Sequence, residues 1–216
     1  MRLILIRHGE TAANASHAID TAPPGAPLSA TGRDQAARLV TTLADEPIDA
    51  VWSSDLVRAQ ETAAPLAAAR GLATQVEPGL REIQAGDYEN GEWRPYVTVI
   101  RQWAHDPNVR MPGAETGLEF FARFTRAVDR IAASGAATAA VVSHGGALRV
   151  WLTAALGDRL PEDPGSLWFL ANTAHVVLEN STGRWLVERW TTEYLVDSHL
   201  DEADVESAIT AHTTAG

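Results

Sequence analysis

Two short apolar runs in this chain break off in the same way. Leu5-Ile6 is followed by Arg7-His8-Gly9, and Val141-Val142 by Ser143-His144-Gly145. The parent runs, Arg2–Ile6 and Ala139–Ser143, are continuous rather than alternating, which predicts strands buried on both faces, as in a parallel sheet. In open α/β sheets, ligands collect beyond the carboxyl ends of strands, at a topological switch point. The repeated ending therefore aims two histidines at one crevice. A single His-Gly pair at a strand end reads equally well as a histidine satisfied by local hydrogen bonds. Its recurrence favours function.

The remaining periodicity fits strands alternating with helices. After a loop at Pro23-Pro24-Gly25-Ala26-Pro27, Thr31 is a candidate N-cap with Asp34 at the third helical position, ahead of a stripe at Ala36, Ala37, Val40 and Leu43. A strand fits Asp49–Ser53. The next helix starts near Ser54, carries Ala59, Thr62, Ala63 and Leu66, and stops at Gly71. Leu118, Phe121, Phe124, Val128 and Ile131 predict a further amphipathic helix, and Leu148, Leu152, Ala155 and Leu156 another, ended by Gly157. His175–Leu178 and Trp185–Trp190, around Asn180-Ser181-Thr182-Gly183, read as an edge hairpin. The predicted fold is a three-layer α/β/α sandwich with a mostly parallel mixed sheet.

Charge narrows the chemistry. The 216 residues carry 28 Asp and Glu against 17 basic residues, all of them arginine, for a net charge of −11. Without lysine there is no Walker phosphate loop and no Schiff-base amine. Without cysteine there is no disulfide framework, thiolate metal site or cysteine nucleophile. The acidic balance argues against nucleic acid and anionic membrane as partners, so any bound anion is held locally. The first apolar run is too short for a leader or a membrane span, which makes the cytoplasm the default address. Trp151, Trp168, Trp185 and Trp190 read as core or interface, the latter consistent with a homodimer, rather than as a stacking platform. Asp201, Glu202, Asp204 and Glu206 mark an acidic C-terminal tail over 201–216, to which no chemistry is assigned.

A third strand end brings Arg58 to the same edge. With Ser54 as N-cap, Arg58 falls in the first turns of its helix, where the dipole disfavours a cation. A solvated surface arginine is the commoner explanation for one such residue. Arg7 on the adjacent strand shifts the balance toward a phosphate or carboxylate site.

Arg7-His8-Gly9-Glu10-Thr11-Ala12-Ala13-Asn14 resembles the R-H-G-x-[ST]-x-x-N signature of the histidine phosphatase superfamily, the phosphoglycerate mutase-like group. Leu28-Ser29-Ala30-Thr31-Gly32, Ser53-Ser54-Asp55-Leu56-Val57-Arg58, Leu80-Arg81-Glu82, Gly113-Ala114-Glu115-Thr116 and Ser143-His144-Gly145-Gly146 continue the resemblance in order. It implies His8 as a nucleophile that becomes phosphohistidine. Arg7, Arg58 and His144 would stabilise the phosphoryl oxygens, Thr11, Asn14 and Gly145 would bind substrate, and Glu82 would be the proton donor. A carboxyl acting as an acid near neutrality needs burial or a bound dianion to favour its protonated form; for Glu82 taken alone, an exposed surface glutamate is the simpler reading. Length and the absence of an interdomain linker predict one domain over 1–200, with an insertion at about 84–116 over the active site, and the resemblance spans about the first 180 residues. No metal and no other cofactor are expected.

Departures bear on the reaction type. His17-Ala18-Ile19-Asp20 stands where many relatives carry Gln-Gly, Gly146 where mutases carry Asn, and Ala85 where they carry a substrate-clamping tyrosine. Asn90 replaces a glycine and can take its left-handed conformation. The expected activity is metal-independent hydrolysis of small phosphorylated metabolites, with a cofactor-dependent phosphoglycerate mutase or another phosphoryl-transfer mutase as the alternative. A zinc hydrolase or deaminase lacks its cysteine pair, and an α/β-hydrolase lacks its G-x-S-x-G elbow.

Overall fold

A computed structural model describes residues 1–157, 170–181 and 183–191. β1 (Arg2–Arg7), β2 (Ala50–Ser53), β3 (Thr74–Val76), β4 (Thr138–Ser143), β5 (His175–Glu179) and β6 (Leu186–Thr191) form one sheet in the order β3-β2-β4-β1-β5-β6. The four strands from β3 to β1 pair in parallel, while β5 and β6 run antiparallel. The sheet is thus mixed with a parallel centre, as the continuous apolar runs imply.

Alternate residues of β1 face opposite layers. Ile4 and Ile6 pack with Leu39 of α2 (Ala30–Thr42) and with Ala59, Ala63 and Leu66 of α3 (Val57–Ala69). Leu3 and Leu5 pack with Phe120 and Phe124 of α5 (Gly117–Ala132) and with Leu148 and Trp151 of α6 (Gly145–Leu156). A short α1 (Ala12–Ala15) follows the end of β1, and α4 (Trp93–Gln102) lies within the 84–116 insertion.

Several boundaries differ from expectation. The N-cap of α2 is Ser29, not Thr31: its hydroxyl accepts from Gly32 N at 3.0 Å and donates to Glu10 Oε1 at 2.6 Å, tying the helix start to the segment after β1. The N-cap of α3 is Leu56 rather than Ser54, because the buried Ser54 hydroxyl accepts from Leu56 N and turns the chain before the helix begins. On α5 the buried face is Phe120, Phe124, Ala127, Val128 and Ile131; Leu118 is 50% exposed and Phe121 half-buried. Two successive three-residue steps rotate off a face whose turn takes about 3.6 residues. Neither β3 nor α4 was expected, since β3 has three residues and α4 carries Pro95 and a run of β-branched side chains that hides its period. Gly157 ends α6 with φ 51, as expected. Trp168, the 201–216 tail and the boundary at 200 lie outside the described residues. Among the described residues no helix is long and apolar enough to cross a membrane.

Phe124 is fully buried between Phe120 and Trp151, with ring centroids at 5.8 and 5.6 Å. Phe124→Ala is expected to lower unfolding free energy by about 3–5 kcal/mol, read from the urea midpoint at unchanged m-value.

Candidate active site

The in-register pairing of β1 with β4 sets Arg7 beside Ser143, and His8 N donates to Ser143 O at 3.0 Å. Both histidines leave the sheet at the same level, with ring centroids 5.2 Å apart, and both are buried. His8 Nδ1 lies 2.7 Å from Gly9 O, and Arg58 Nε donates to His8 Nε2 at 3.1 Å. A guanidinium can only donate, so Nε2 carries the lone pair and Nδ1 the proton. Burial first, then the charges of Arg58 and Arg7, hold His8 well below the ordinary histidine value. His144 is shifted the same way by burial, Arg58 and His8. Among the described residues neither ring nitrogen of His144 has a hydrogen-bond partner.

Arg58 is itself gripped on its far side. Its Nη2 donates to the Asp20 carbonyl at 2.8 Å and its Nη1 approaches Asp20 Oδ2 at 3.4 Å. Gly25 makes room for it, since a Cβ there would stand 2.5 Å from Nη1. Arg7 passes over Gly145, where a Cβ would be 3.1 Å from Nε, and donates to the Leu170 carbonyl. Gly145 thus admits the arginine to the crevice.

Thr11 and Asn14 form a reciprocal cap on α1, each backbone N–H donating to the other's side chain at 3.2 Å. Asn172 donates to His8 O at 3.0 Å and to Asn14 Oδ1 at 3.2 Å, joining the cap to the His8 backbone. Because Asn14 Oδ1 accepts twice, its amide nitrogen is turned the other way. Two glycines seat this loop on α2: a Cβ on Gly32 would stand 2.1 Å from Glu10 O, and one on Gly9 2.6 Å from Gly32 O.

Glu82 is half-buried, not exposed. Its carboxylate accepts from Ile83 N at 2.8 Å, Gly146 N at 3.0 Å and Ala147 N at 2.6 Å, which places it at the start of α6, two residues from His144. Gly146 leaves that seat open, since a Cβ would lie 2.8 Å from Oε1. Arg123 fixes the supporting loop, donating to the carbonyls of Gly79, Arg81 and Glu82 at 3.1, 2.9 and 2.7 Å while its other donors engage Glu115. Glu115 also accepts from Gln84 N, and the Tyr96 hydroxyl donates to Ile83 O at 2.8 Å.

The insertion is tied to the loop after α1. Glu89 accepts from Thr21 N at 2.7 Å and Thr21 Oγ1 at 2.6 Å, and Asn90 N donates to Ile19 O at 3.1 Å. Asn90 adopts φ 60, as its replacement of glycine implies. The sequence reading missed Asp20, Asn172, Tyr96 and Arg123 as parts of the site. Asp20 lies in the segment that departs from the family pattern, so no motif marks it. The others act through backbone groups far away in sequence, which no local pattern reveals.

The arrangement is that of an anion-handling site at the carboxyl ends of two parallel strands, built from neutral imidazoles and guanidinium donors. A family description, the histidine phosphatase superfamily (branch 1), matches residues 3–193, and the chain belongs to that superfamily. It is 31% identical to a probable phosphoglycerate mutase GpmB of Yersinia enterocolitica over 93% of this chain and 95% of that protein. It is 36% identical to a PE-PGRS family protein of Mycobacterium tuberculosis over 95% of this chain, but spans only 39% of that protein's length. The crystal structure of the alpha-ribazole phosphatase from Shigella flexneri superposes with a TM-score of 0.70 at 28% identity, covering 92% of this chain and 100% of that one. Among the described residues no three His, Asp or Glu side chains gather to hold a metal ion.

Because burial and nearby arginines both depress the histidines, His8 and His144 stay neutral below the ordinary value of about 6.5. The unfolded chain binds their protons first as pH falls. Folding stability is therefore full above about pH 6.5 and declines as pH drops from there toward the folded-state values. In NMR titration, Arg58→Ala should move His8 upward toward the ordinary value; no movement would remove Arg58 as a cause.

Proposed function

We propose that the protein is a metal-independent phosphomonoesterase that hydrolyses small phosphorylated metabolites through a phosphohistidine on His8. The observation that carries this reading is the geometry at His8, whose Nδ1 lies 2.7 Å from Gly9 O and whose Nε2 accepts from Arg58 Nε at 3.1 Å. An incoming phosphoryl group replaces His8 as acceptor of the Arg58 Nε–H, freeing the lone pair for in-line attack. The P–Nε2 bond forms as the ester P–O bond breaks. Nδ1–H on Gly9 O holds the tautomer while the ring gains charge.

Arg7, Arg58 and His144 meet the phosphoryl oxygens, His144 with a ring nitrogen for which the described protein offers no other partner. Thr11, Asn14 and the backbone at Gly145 add neutral contacts. Glu82 supplies the proton to the leaving oxygen and then takes one from the water that cleaves the phosphohistidine, regenerating His8 and releasing phosphate.

The GpmB relative favours a mutase as the second reading. Against it, Ala85 is fully buried with its N–H on Thr21 Oγ1, Arg110 pairs with Glu119, and the chain has no lysine to hold a second anion.

His8→Ala should abolish turnover with the fold intact, and alkaline quenching of wild type with substrate should leave acid-labile phosphate on His8. Glu82→Gln should slow alkyl phosphates by about 10²–10⁴-fold and nitrophenyl phosphate far less; equal losses would assign Glu82 to binding. In an enolase-coupled assay with 2,3-bisphosphoglycerate, phosphate release should outrun isomerisation of 3-phosphoglycerate. The reverse would make the protein a mutase.

A further inference from the structure

The segment from Leu170 to Ala174 leads into β5 and is fastened to the crevice at several points. The Leu170 carbonyl accepts from the Arg7 guanidinium, Thr173 N donates to Arg7 O at 3.0 Å, and Arg7 N donates to Ala174 O at 3.0 Å. Every residue of the segment is buried except Asn172, which is half-buried. Thr173 adopts φ 64, a conformation that a β-branched residue rarely takes and that persists only where its surroundings impose it. Its hydroxyl donates to Asn172 O at 2.6 Å, closing the turn. What the strained turn delivers is the Asn172 amide, set against the loop after β1.

Chemistry fixes which way that amide faces. His8 O can only accept, so the atom 3.0 Å from it is the nitrogen, Nδ2. The same Nδ2 lies 3.2 Å from Asn14, where it needs an acceptor, and Thr11 N–H reaches the same Asn14 atom at 3.2 Å. Two donors therefore hold Asn14 Oδ1, and Asn14 Nδ2 is left without a partner among the described residues. An NH2 group has two protons, one for each acceptor. Aspartate would offer none at neutral pH, and serine or threonine only one.

We propose that Asn172 is a positioning residue that sets the Asn14 amide as a donor to the phosphoryl group. The inference deepens the phosphomonoesterase reading above and rests on it for the identity of the ligand. His8 O and Asn14 Oδ1 share one Nδ2, so they lie within two hydrogen-bond lengths of each other, and Asn14 stands beside the His8 backbone. With Oδ1 engaged twice, the amide presents a donor rather than an acceptor on its remaining side. Reversed, it would set an oxygen against phosphoryl oxygens, which repel it. The two orientations have nearly the same shape, so packing alone does not choose between them.

The test is a double-mutant cycle on the dissociation constant for orthophosphate, measured by calorimetry for wild type, Asn172→Ala, Asn14→Ala and the double variant, with urea midpoints as a check on folding. Each single change should weaken binding about three- to tenfold, the loss of one neutral hydrogen bond, and the double variant should bind no more weakly than Asn14→Ala. In NMR spectra the Asn14 side-chain NH2 signals, assigned by their loss in Asn14→Ala, should shift with orthophosphate in wild type and barely move in Asn172→Ala. Asn172→Leu, which keeps the volume without the donors, takes the place of Asn172→Ala if the smaller side chain costs the fold. Losses that multiply in the double variant, or Asn14 signals that respond equally to phosphate with and without Asn172, would overturn the proposal and leave Asn172 a fastening of the main chain. Orthophosphate binding with the expected pattern but no hydrolysis of any phosphomonoester would overturn the phosphatase reading and keep the role of Asn172. Failure of wild type to bind orthophosphate would overturn both.

Discussion

Everything in the site depends on the parallel, in-register pairing of β1 with β4. Because Arg2 faces Thr138 and Arg7 faces Ser143, the two strands end at one level and the histidines that follow stand side by side. A slip of one residue would turn every side chain of β1 to the opposite layer, exchanging Leu3 and Leu5 for Ile4 and Ile6 against α5 and α6. The cores on both faces therefore hold the register, and the register holds the distance between the rings.

Electrostatics builds on that frame. Two imidazoles are buried next to guanidinium groups, and burial together with those charges holds both well below the ordinary histidine value. The guanidiniums are in turn held by oxygen atoms of Asp20 and Leu170, so positive charge gathers at the crevice without being left unsolvated. Glu82 is held separately, on the N-terminal N–H groups of α6. The carboxylate and the paired imidazoles thus occupy separate environments.

Much of this was legible in the sequence because the strongest signals are local. The strand-His-Gly endings, the Arg58 helix and the Asn90 turn each depend on residues close in the chain, and the structure places them as expected. The two N-caps lie two residues from where the helix patterns put them, one earlier and one later, because Ser29 and Ser54 form bonds to Glu10 and Leu56 that no helix pattern encodes. The stripe on α5 drifted because Leu118 and Phe121 are apolar but lie off the buried face. Arg123 and Asn172 were invisible for a different reason. Each serves backbone atoms more than 40 residues away in sequence, 41 for the Arg123–Glu82 bond and 164 for Asn172–His8. Backbone partners carry no residue-type signature.

The contact between Gly9 and Gly32 concerns what can change over time in such a chain. Core faces tolerate volume-preserving exchanges of one apolar side chain for another. At these two positions main chain rests on main chain, and a single methyl group would meet a carbonyl oxygen at 2.6 or 2.1 Å. The feature that keeps the loop after His8 on its helix is thus a pair of missing side chains. What fills the layers of this chain can change widely and leave the same crevice, provided these two places stay empty.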